Sequence, residues 1–148
     1  MKTKISELNP FNSGRLEHAF VWETIKEFYS KYNKNIKCLD YGGYDGMLME
    51  ELIKSNFTKN GVTVDLNLDI INKFKNTVSK YHQMIGIKKG KPLPFKKESF
   101  DVITIIGVIE HVHNQKYLLN EIYRILKPNG LIIIAVPGKH LFSFLDFA

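Results

Sequence analysis

The stretch Leu39-Asp40-Tyr41-Gly42-Gly43-Tyr44-Asp45-Gly46-Met47 decides how the chain is read. Before it, Ile36 to Tyr41 is a short apolar run of strand length. Behind it, Leu48, Leu52 and Ile53 recur at helical spacing, so the glycines form a tight loop between a strand and a helix. The unit repeats downstream. Val62 to Leu66 follows Asn60-Gly61 as a second strand, and Ile70, Phe74, Val78 and Tyr81 mark a second crossover helix. Gln83 to Ile87 reads as a third strand and Phe100 to Ile106 as a fourth. Asn114 caps a helix bearing Leu118, Leu119, Ile122, Ile125 and Leu126, and Pro128-Asn129-Gly130 stops it. Leu131 to Val136 is apolar on both faces, as a strand covered from both sides would be. Upstream, Arg15 to Tyr32 forms a helix with Leu16, Phe20, Ile25, Phe28 and Tyr32 on one face. Five strands alternating with helices predict an α/β fold: a doubly wound, mostly parallel, Rossmann-like sheet with helices on both faces.

The bulk numbers agree with one such domain. The chain has 148 residues, 44% of them hydrophobic and 24% charged, which excludes two full domains and a largely disordered chain. A lone cysteine, Cys38, cannot close an internal disulfide, and residues 1–14 carry no apolar core of the signal-peptide kind, so a cytoplasmic protein is the expectation. No run approaches the ~20 apolar residues of a membrane span. The net charge is +6, from 21 basic and 15 acidic residues, and most of the basic ones are lysines. Lysine excess suits anionic partners, but it also keeps an ordinary surface solvated.

In a doubly wound sheet, ligands bind at the C-terminal strand ends where the strand order reverses, and the glycine loop lies there. A dinucleotide loop needs glycines in a G-x-G-x-x-G register; Gly42 fits, but Tyr44 and Met47 hold the other two positions. A P-loop is excluded, since no Gly-Lys-Ser or Gly-Lys-Thr follows. Charge says more. Asp40 ends the first strand, Asp45 sits in the loop and Asp65 ends the second strand, so three carboxylates converge on one crevice. Such a wall repels phosphates and favours a nucleoside carrying positive charge, with Asp65 accepting both ribose hydroxyls. The alternative is that Asp45 caps the following helix and Asp40 is exposed.

These residues carry a resemblance. Residues Leu39 to Gly46 resemble the first motif of class I S-adenosylmethionine-dependent methyltransferases, and Val64-Asp65-Leu66-Asn67 their acidic second-strand motif. Leu93-Pro94-Phe95, Ser99-Phe100-Asp101, Val108-Ile109-Glu110-His111-Val112 and Leu126-Lys127-Pro128-Asn129-Gly130 follow in the order of the ubiquinone and sterol methyltransferase group, a series spanning Ile36 to Pro137. The resemblance implies S-adenosyl-L-methionine as cofactor. It implies that Asp40, Gly42, Gly43 and Gly46 hold the methionine part and Asp65 and Leu66 the ribose and adenine. The backbone at Ile106 and Gly107 would then form the floor. On this reading 1–34 is an N-terminal helical segment, 35–138 the cofactor-binding core and 139–148 a tail.

Three departures stand out. Tyr44 takes the place of the family's middle glycine. The acidic residue that often follows the third strand is absent, the stretch reading Ile87-Lys88-Lys89-Gly90. The family's sheet also continues past the fifth strand with a helix and an antiparallel hairpin, which this chain lacks. That leaves Leu131 to Val136 as an apolar edge. A fragment of a longer protein is the expectation; a second subunit on that edge, or the Leu141 to Leu145 tail folded over it, are the alternatives.

Methyl transfer from a sulfonium is an in-line displacement on an activated carbon, so the protein must mainly position two reactants in a dry site. An oxygen or nitrogen nucleophile also needs a proton removed, and His111, after the fourth strand, is the candidate general base. Alternatively, the Glu110-His111 pair only shapes its loop. His113 and His140 read as surface residues, and the histidines and cysteine show no metal-ligand spacing. Trp22, Tyr29 and Tyr32 read as packing residues, and Lys88, Lys89, Lys91, Lys96 and Lys97 as a solvated loop. The fourth strand ends in Ile105-Ile106-Gly107-Val108 rather than the Asn-Pro-Pro-Tyr signature of base-amine methyltransferases. This argues for a small-molecule, sugar or lipid acceptor rather than nucleic acid. The rival readings are a non-catalytic module or homo-oligomer pairing through the fifth-strand edge, and a nicotinamide-dependent oxidoreductase.

Overall fold

In the computed structural model, residues 16–29 and 36–136 are described. Helix α1 (Leu16–Tyr29) precedes strand β1 (Ile36–Tyr41), helix α2 (Met47–Lys54), β2 (Thr58–Asp65), α3 (Leu68–Phe74) and β3 (His82–Gly86). β4 (Phe100–Ile106), a short 3-10 turn at Ile109–His111, α4 (Gln115–Ile125) and β5 (Leu126–Ala135) follow. The five strands form one sheet in the order β3-β2-β1-β4-β5, and every neighbouring pair is parallel. The order reverses between β1 and β4, so a crevice opens at their C-terminal ends, beside the glycine loop.

Both faces of the sheet are covered. On one, Val21, Trp22 and Ile25 of α1 and Leu48, Met49, Leu52 and Ile53 of α2 pack over Ile36, Cys38, Val102, Leu131 and Ile133. On the other, Leu118, Ile122 and Ile125 of α4 cover Leu39, Ile103, Ile105, Ile132 and Ile134. Alternate residues of β1, β4 and β5 thus feed opposite cores, as expected of central parallel strands.

The boundaries differ from the sequence reading where tertiary packing overrides local signals. β2 begins at Thr58, running through Asn60-Gly61 instead of starting after it. Gly61 is no turn glycine: a side chain there would strike Met49 of α2, so it permits a close helix-strand approach. α3 stops at Phe74, where both the backbone N–H and the hydroxyl of Thr77 donate to the Phe74 carbonyl, so the helical spacing read through Tyr81 overshoots by seven residues. α4 ends at Ile125, and Leu126 already pairs with Phe100 as the first residue of β5. Lys127 to Gly130 then loop out of register before Leu131 pairs with Val102, so Pro128 escapes the ladder.

The first helix buries a different stripe from the expected one. His18, Val21, Trp22 and Ile25 face inward while Phe20 is 36% exposed, and the edge of Trp22 meets Phe57 at 4.2 Å. Trp22 is a packing residue, as expected; the Leu16 and Tyr29 side chains, Tyr32, His140 and the 139–148 tail lie outside what is described. The lysine-rich segment is tied down at its centre. Leu93 is buried, its N–H donates to Glu121, and Arg124 donates to the carbonyls of Leu93 and Phe95, while the five lysines around them point to solvent. Among the described residues no helix is long and apolar enough to cross a membrane.

Candidate functional site

The glycine loop is built from left-handed turns. Gly42 (φ 74°), Tyr44 (φ 51°) and Gly46 (φ 75°) all sit at positive φ, and the Gly42 N–H crosses to the Val64 carbonyl at 2.7 Å. Positive φ at Gly42 and Gly46 explains why these positions are glycine; Tyr44 adopts it despite its side chain. α2 starts at Gly46, and Asp45 accepts from the Met47 N–H at 3.1 Å, the capping role weighed as its alternative.

Two glycines of the loop rest on buried titratable groups. A side chain on Gly43 would strike the Asp40 carboxylate and the Thr63 methyl, and one on Gly46 would strike the His82 ring. Asp40 is therefore not exposed: at 3% it is buried under the loop, accepting a hydrogen bond from the Thr104 hydroxyl at 2.7 Å. Burial raises its pKa to about 6, against the Thr104 hydrogen bond and the charge of His18, with Asp45 and Asp65 adding to the rise. His82 donates from Nδ1 to Glu50 at 2.8 Å, and its Nε2 lies 2.8 Å from the Thr63 hydroxyl. Burial pushes His82 below the ordinary histidine range, so its neutral ring accepts the Thr63 hydrogen bond at Nε2.

The crevice beside this loop encloses about 190 Å³ and is lined by Tyr41, Gly42, Asp65, Leu66, Ile87, Gly107, Val108 and His111. Asp65 stands between its two loops, accepting from the Tyr44 N–H at 3.2 Å and from the Asn67 N–H at 2.8 Å. Each carboxylate oxygen takes one backbone donor and keeps acceptor capacity for a ligand hydroxyl. Burial, and then the charge of Asp65, raise the Tyr41 phenol. Leu66, Ile87 and Val108 supply apolar wall, and Val108 leans over Gly42, where a Cβ would collide with it. Gly107 (φ 62°) donates to the Ala135 carbonyl at 2.8 Å and turns the chain out of β4.

Of the residues expected here, Gly42, Asp65, Leu66, Gly107 and His111 line the crevice. Asp40, Gly43 and Gly46 do not line it: Gly43 rests on Asp40 and Gly46 on the His82 ring, and Ile106 packs toward the α1–α2 core. Asp45 and Asp65 both act electrostatically on Asp40, but of the three only Asp65 lines the crevice. The His111 side chain is 79% exposed, with Nε2 3.9 Å from Glu110. Sequence reasoning missed Tyr41, Ile87 and Val108, apolar or aromatic side chains without a chemical signature. It also missed His18, whose Nδ1 lies 2.9 Å from Glu51. Among the described residues no group of three or more His, Cys, Asp or Glu is arranged to hold a metal ion.

Comparison with known proteins fits this geometry. Residues 15–146 match the model of a methyltransferase domain family. The chain is 31% identical over 147 residues to a ubiquinone biosynthesis O-methyltransferase of Pelagibacter ubique, covering 96% of this chain and 60% of that protein. It is 40% identical over 117 residues to an uncharacterized protein of Methanocaldococcus jannaschii, covering 78% and 46% respectively. The chain thus spans about half the length of the curated relatives it matches. Among solved structures, the CurJ carbon methyltransferase superposes with a TM-score of 0.70 at 16% identity over 83% of this chain and 35% of that one, a likeness of fold.

Proposed function

Because this chain belongs to the class I S-adenosylmethionine-dependent methyltransferases, we propose that its crevice holds S-adenosylmethionine and that it supplies the cofactor side of a methyl transfer to a small-molecule acceptor. The observation that carries this reading is Asp65, a half-exposed carboxylate at the mouth of an apolar crevice, braced by two backbone donors and still able to accept two more hydrogen bonds. The residues suit the group. Asp65 would take the ribose hydroxyls, Leu66 and Ile87 would flank the adenine, and Gly42 and Gly107 would let backbone approach the methionine end. When bound, the cofactor supplies an electrophilic methyl on a sulfonium. The chain's part is to orient, to exclude water and to present the negative charge of Asp65, which favours a cationic ligand over a phosphorylated one.

At about 190 Å³ the crevice is smaller than the ~300–1,000 Å³ of full ligand pockets. We therefore assign this crevice to the cofactor and, His111 apart, assign no acceptor contact to the described residues. An oxygen acceptor gains support from the similarity to an O-methyltransferase, and a small-molecule, sugar or lipid acceptor from the absence of the base-amine signature after β4. The exposure of His111 on the lining of the crevice supports the reading that it takes a proton from such an acceptor.

Calorimetry with S-adenosylmethionine, its demethylated product and reduced nicotinamide dinucleotide tests the reading. Binding of the first two and not the third supports it; preference for the dinucleotide overturns it. A second reading, a binding module, is favoured by one observation: β5 pairs on one side only among the described residues. Cofactor binding without methyl transfer by the longest natural form of the chain, together with a stable dimer, would favour that module.

A further inference from the structure

Two of the loop's glycines stand on one pair of hydrogen-bonded side chains. Thr63 of β2 turns its methyl toward Gly43, where an added Cβ would lie 2.9 Å from it beside the Asp40 carboxylate, and its hydroxyl lies 2.8 Å from Nε2 of His82 in β3. The His82 ring in turn lies under Gly46, where an added Cβ would stand 2.5 Å from its Cε1. Both side chains belong to buried residues.

Glu50 of α2 fixes the ring from its other nitrogen. One carboxylate oxygen accepts from His82 Nδ1 at 2.8 Å and from the Ser79 N–H at 3.0 Å, which ties the chain entering β3 to α2. The Glu50 N–H donates to the Gly46 carbonyl at 3.0 Å, so the path closes on itself: Gly46 to Glu50 along the helix, Glu50 to His82 by a hydrogen bond, and His82 back to Gly46 by contact. The Gly46 N–H donates to the Gly43 carbonyl at 2.9 Å, which links the two glycines. Close-packed interiors respond to changes as small as one methylene, so the ring sets the height of this turn over the sheet.

We propose that His82 is a positioning residue for the ligand loop: with Thr63 and Glu50 it forms a seat that fixes how near the Gly43–Gly46 turn comes to the methionine end of the ligand. This rests on the reading that the crevice holds S-adenosylmethionine. None of the three side chains lines the crevice, and they act through the loop backbone. Since Asp65 would take the ribose, a displaced seat costs the methionine end more than the nucleoside.

The test uses the longest natural form of the chain, in a ligand-free arm and a ligand arm. In the first, NMR follows amide hydrogen exchange at Gly46 and at Gly107, whose N–H bonds to the Ala135 carbonyl at the end of β4. His82→Ala should speed exchange at Gly46 by at least about tenfold and at Gly107 by less than about threefold. Equal acceleration, or an unmoved Gly46, overturns the seat. In the second arm, calorimetry compares S-adenosylmethionine with adenosine. His82→Ala should weaken S-adenosylmethionine by at least about fivefold and adenosine by less than about twofold. An equal loss for both ligands marks a merely structural residue and overturns the positioning role, as does unchanged S-adenosylmethionine affinity. If Gly46 responds as expected while the wild-type protein binds no S-adenosylmethionine, the proposed function fails and the seat beneath the loop stands. Should His82→Ala not fold, Glu50→Ala, which leaves the ring without its anchor, carries both arms.

Discussion

The Asp40 carboxylate fills the space in which a side chain on Gly43 would begin. The glycine is thus required by what lies beneath it rather than by its own backbone angles, for it is absent from the positive-φ positions that include Gly42 and Gly46. Gly43→Ala should cost about 1–3 kcal/mol of stability, the scale of overpacking in a tight core. Gly90→Ala is the control: at φ 70° with nothing within 4 Å of the added methyl, it should cost about 1–2 kcal/mol through backbone strain alone. Urea denaturation of both variants, with S-adenosylmethionine titrations alongside, separates them. Gly43→Ala should lose ligand affinity and Gly90→Ala should keep it.

Asp40 itself is a burden on the fold. Its pKa stands at about 6, above the ordinary value of 3.8, so the folded state binds its proton more tightly than the unfolded one. Its contribution to stability is full below the unfolded value and is lost as pH rises through about 6. At neutral pH the ionised group therefore costs about 3 kcal/mol relative to its protonated form. Asp40→Asn is expected to raise the melting temperature at pH 8 and to change it little at pH 4. The same variant should weaken S-adenosylmethionine more than adenosine, since adenosine lacks the charged methionine end. Melting curves at the two pH values, and paired calorimetry, check both halves.

His82 gives the opposite pH response. Burial lowers its pKa below the unfolded value, so its contribution is present above the ordinary histidine range and is lost as pH falls through its folded value. Glu50, also held low in pKa by Ser79 and His82 against its own burial, acts in the same direction as pH falls. Stability should decline as pH falls below the ordinary histidine range and His82 is forced to charge. Thr63→Val removes the hydroxyl that Nε2 accepts from and should cost about 1–3 kcal/mol, the penalty of an unsatisfied buried acceptor. Denaturation of wild type and Thr63→Val from pH 5 to 8 shows whether the acid decline belongs to this ring.

Asp65→Ala should weaken S-adenosylmethionine by about 1.5–3 kcal/mol, the worth of hydrogen bonds to a charged group. The side chain also braces Tyr44 and Asn67, so Asp65→Asn provides the contrast, keeping an acceptor while losing the charge. Calorimetry that finds unchanged affinity in Asp65→Ala would remove it from the ribose site.

The central units of the fold are legible in sequence because their signals are local. β1, the loop and α2 announce themselves by an apolar run, close glycines and a helical stripe, and β4 and α4 by strong periodicity and an Asn114 cap that the structure realises on the Tyr117 N–H. The layer beneath the loop is not legible in this way. His18 and His82 are inside because partners 33 and 32 residues away, Glu51 and Glu50, satisfy them. A stripe chosen by hydrophobicity selects Phe20 and overlooks a histidine. The usable signal was the i, i+3, i+4, i+7 spacing of His18, Val21, Trp22 and Ile25. Asp40 was located correctly along the chain, but its depth followed from the missing side chain at Gly43, a contact no pattern of letters displays.

Glu50 and Glu51 are neighbours in sequence, yet one grips a histidine of the edge strand β3 and the other a histidine of α1. Successive residues of an α-helix project about 100° apart. α2 therefore works like a key with two adjacent teeth cut at different angles. Turning it by a single residue would unlatch both histidines at once, so the rotational setting of this one short rod ties the first turn of α1 to the underside of the glycine loop.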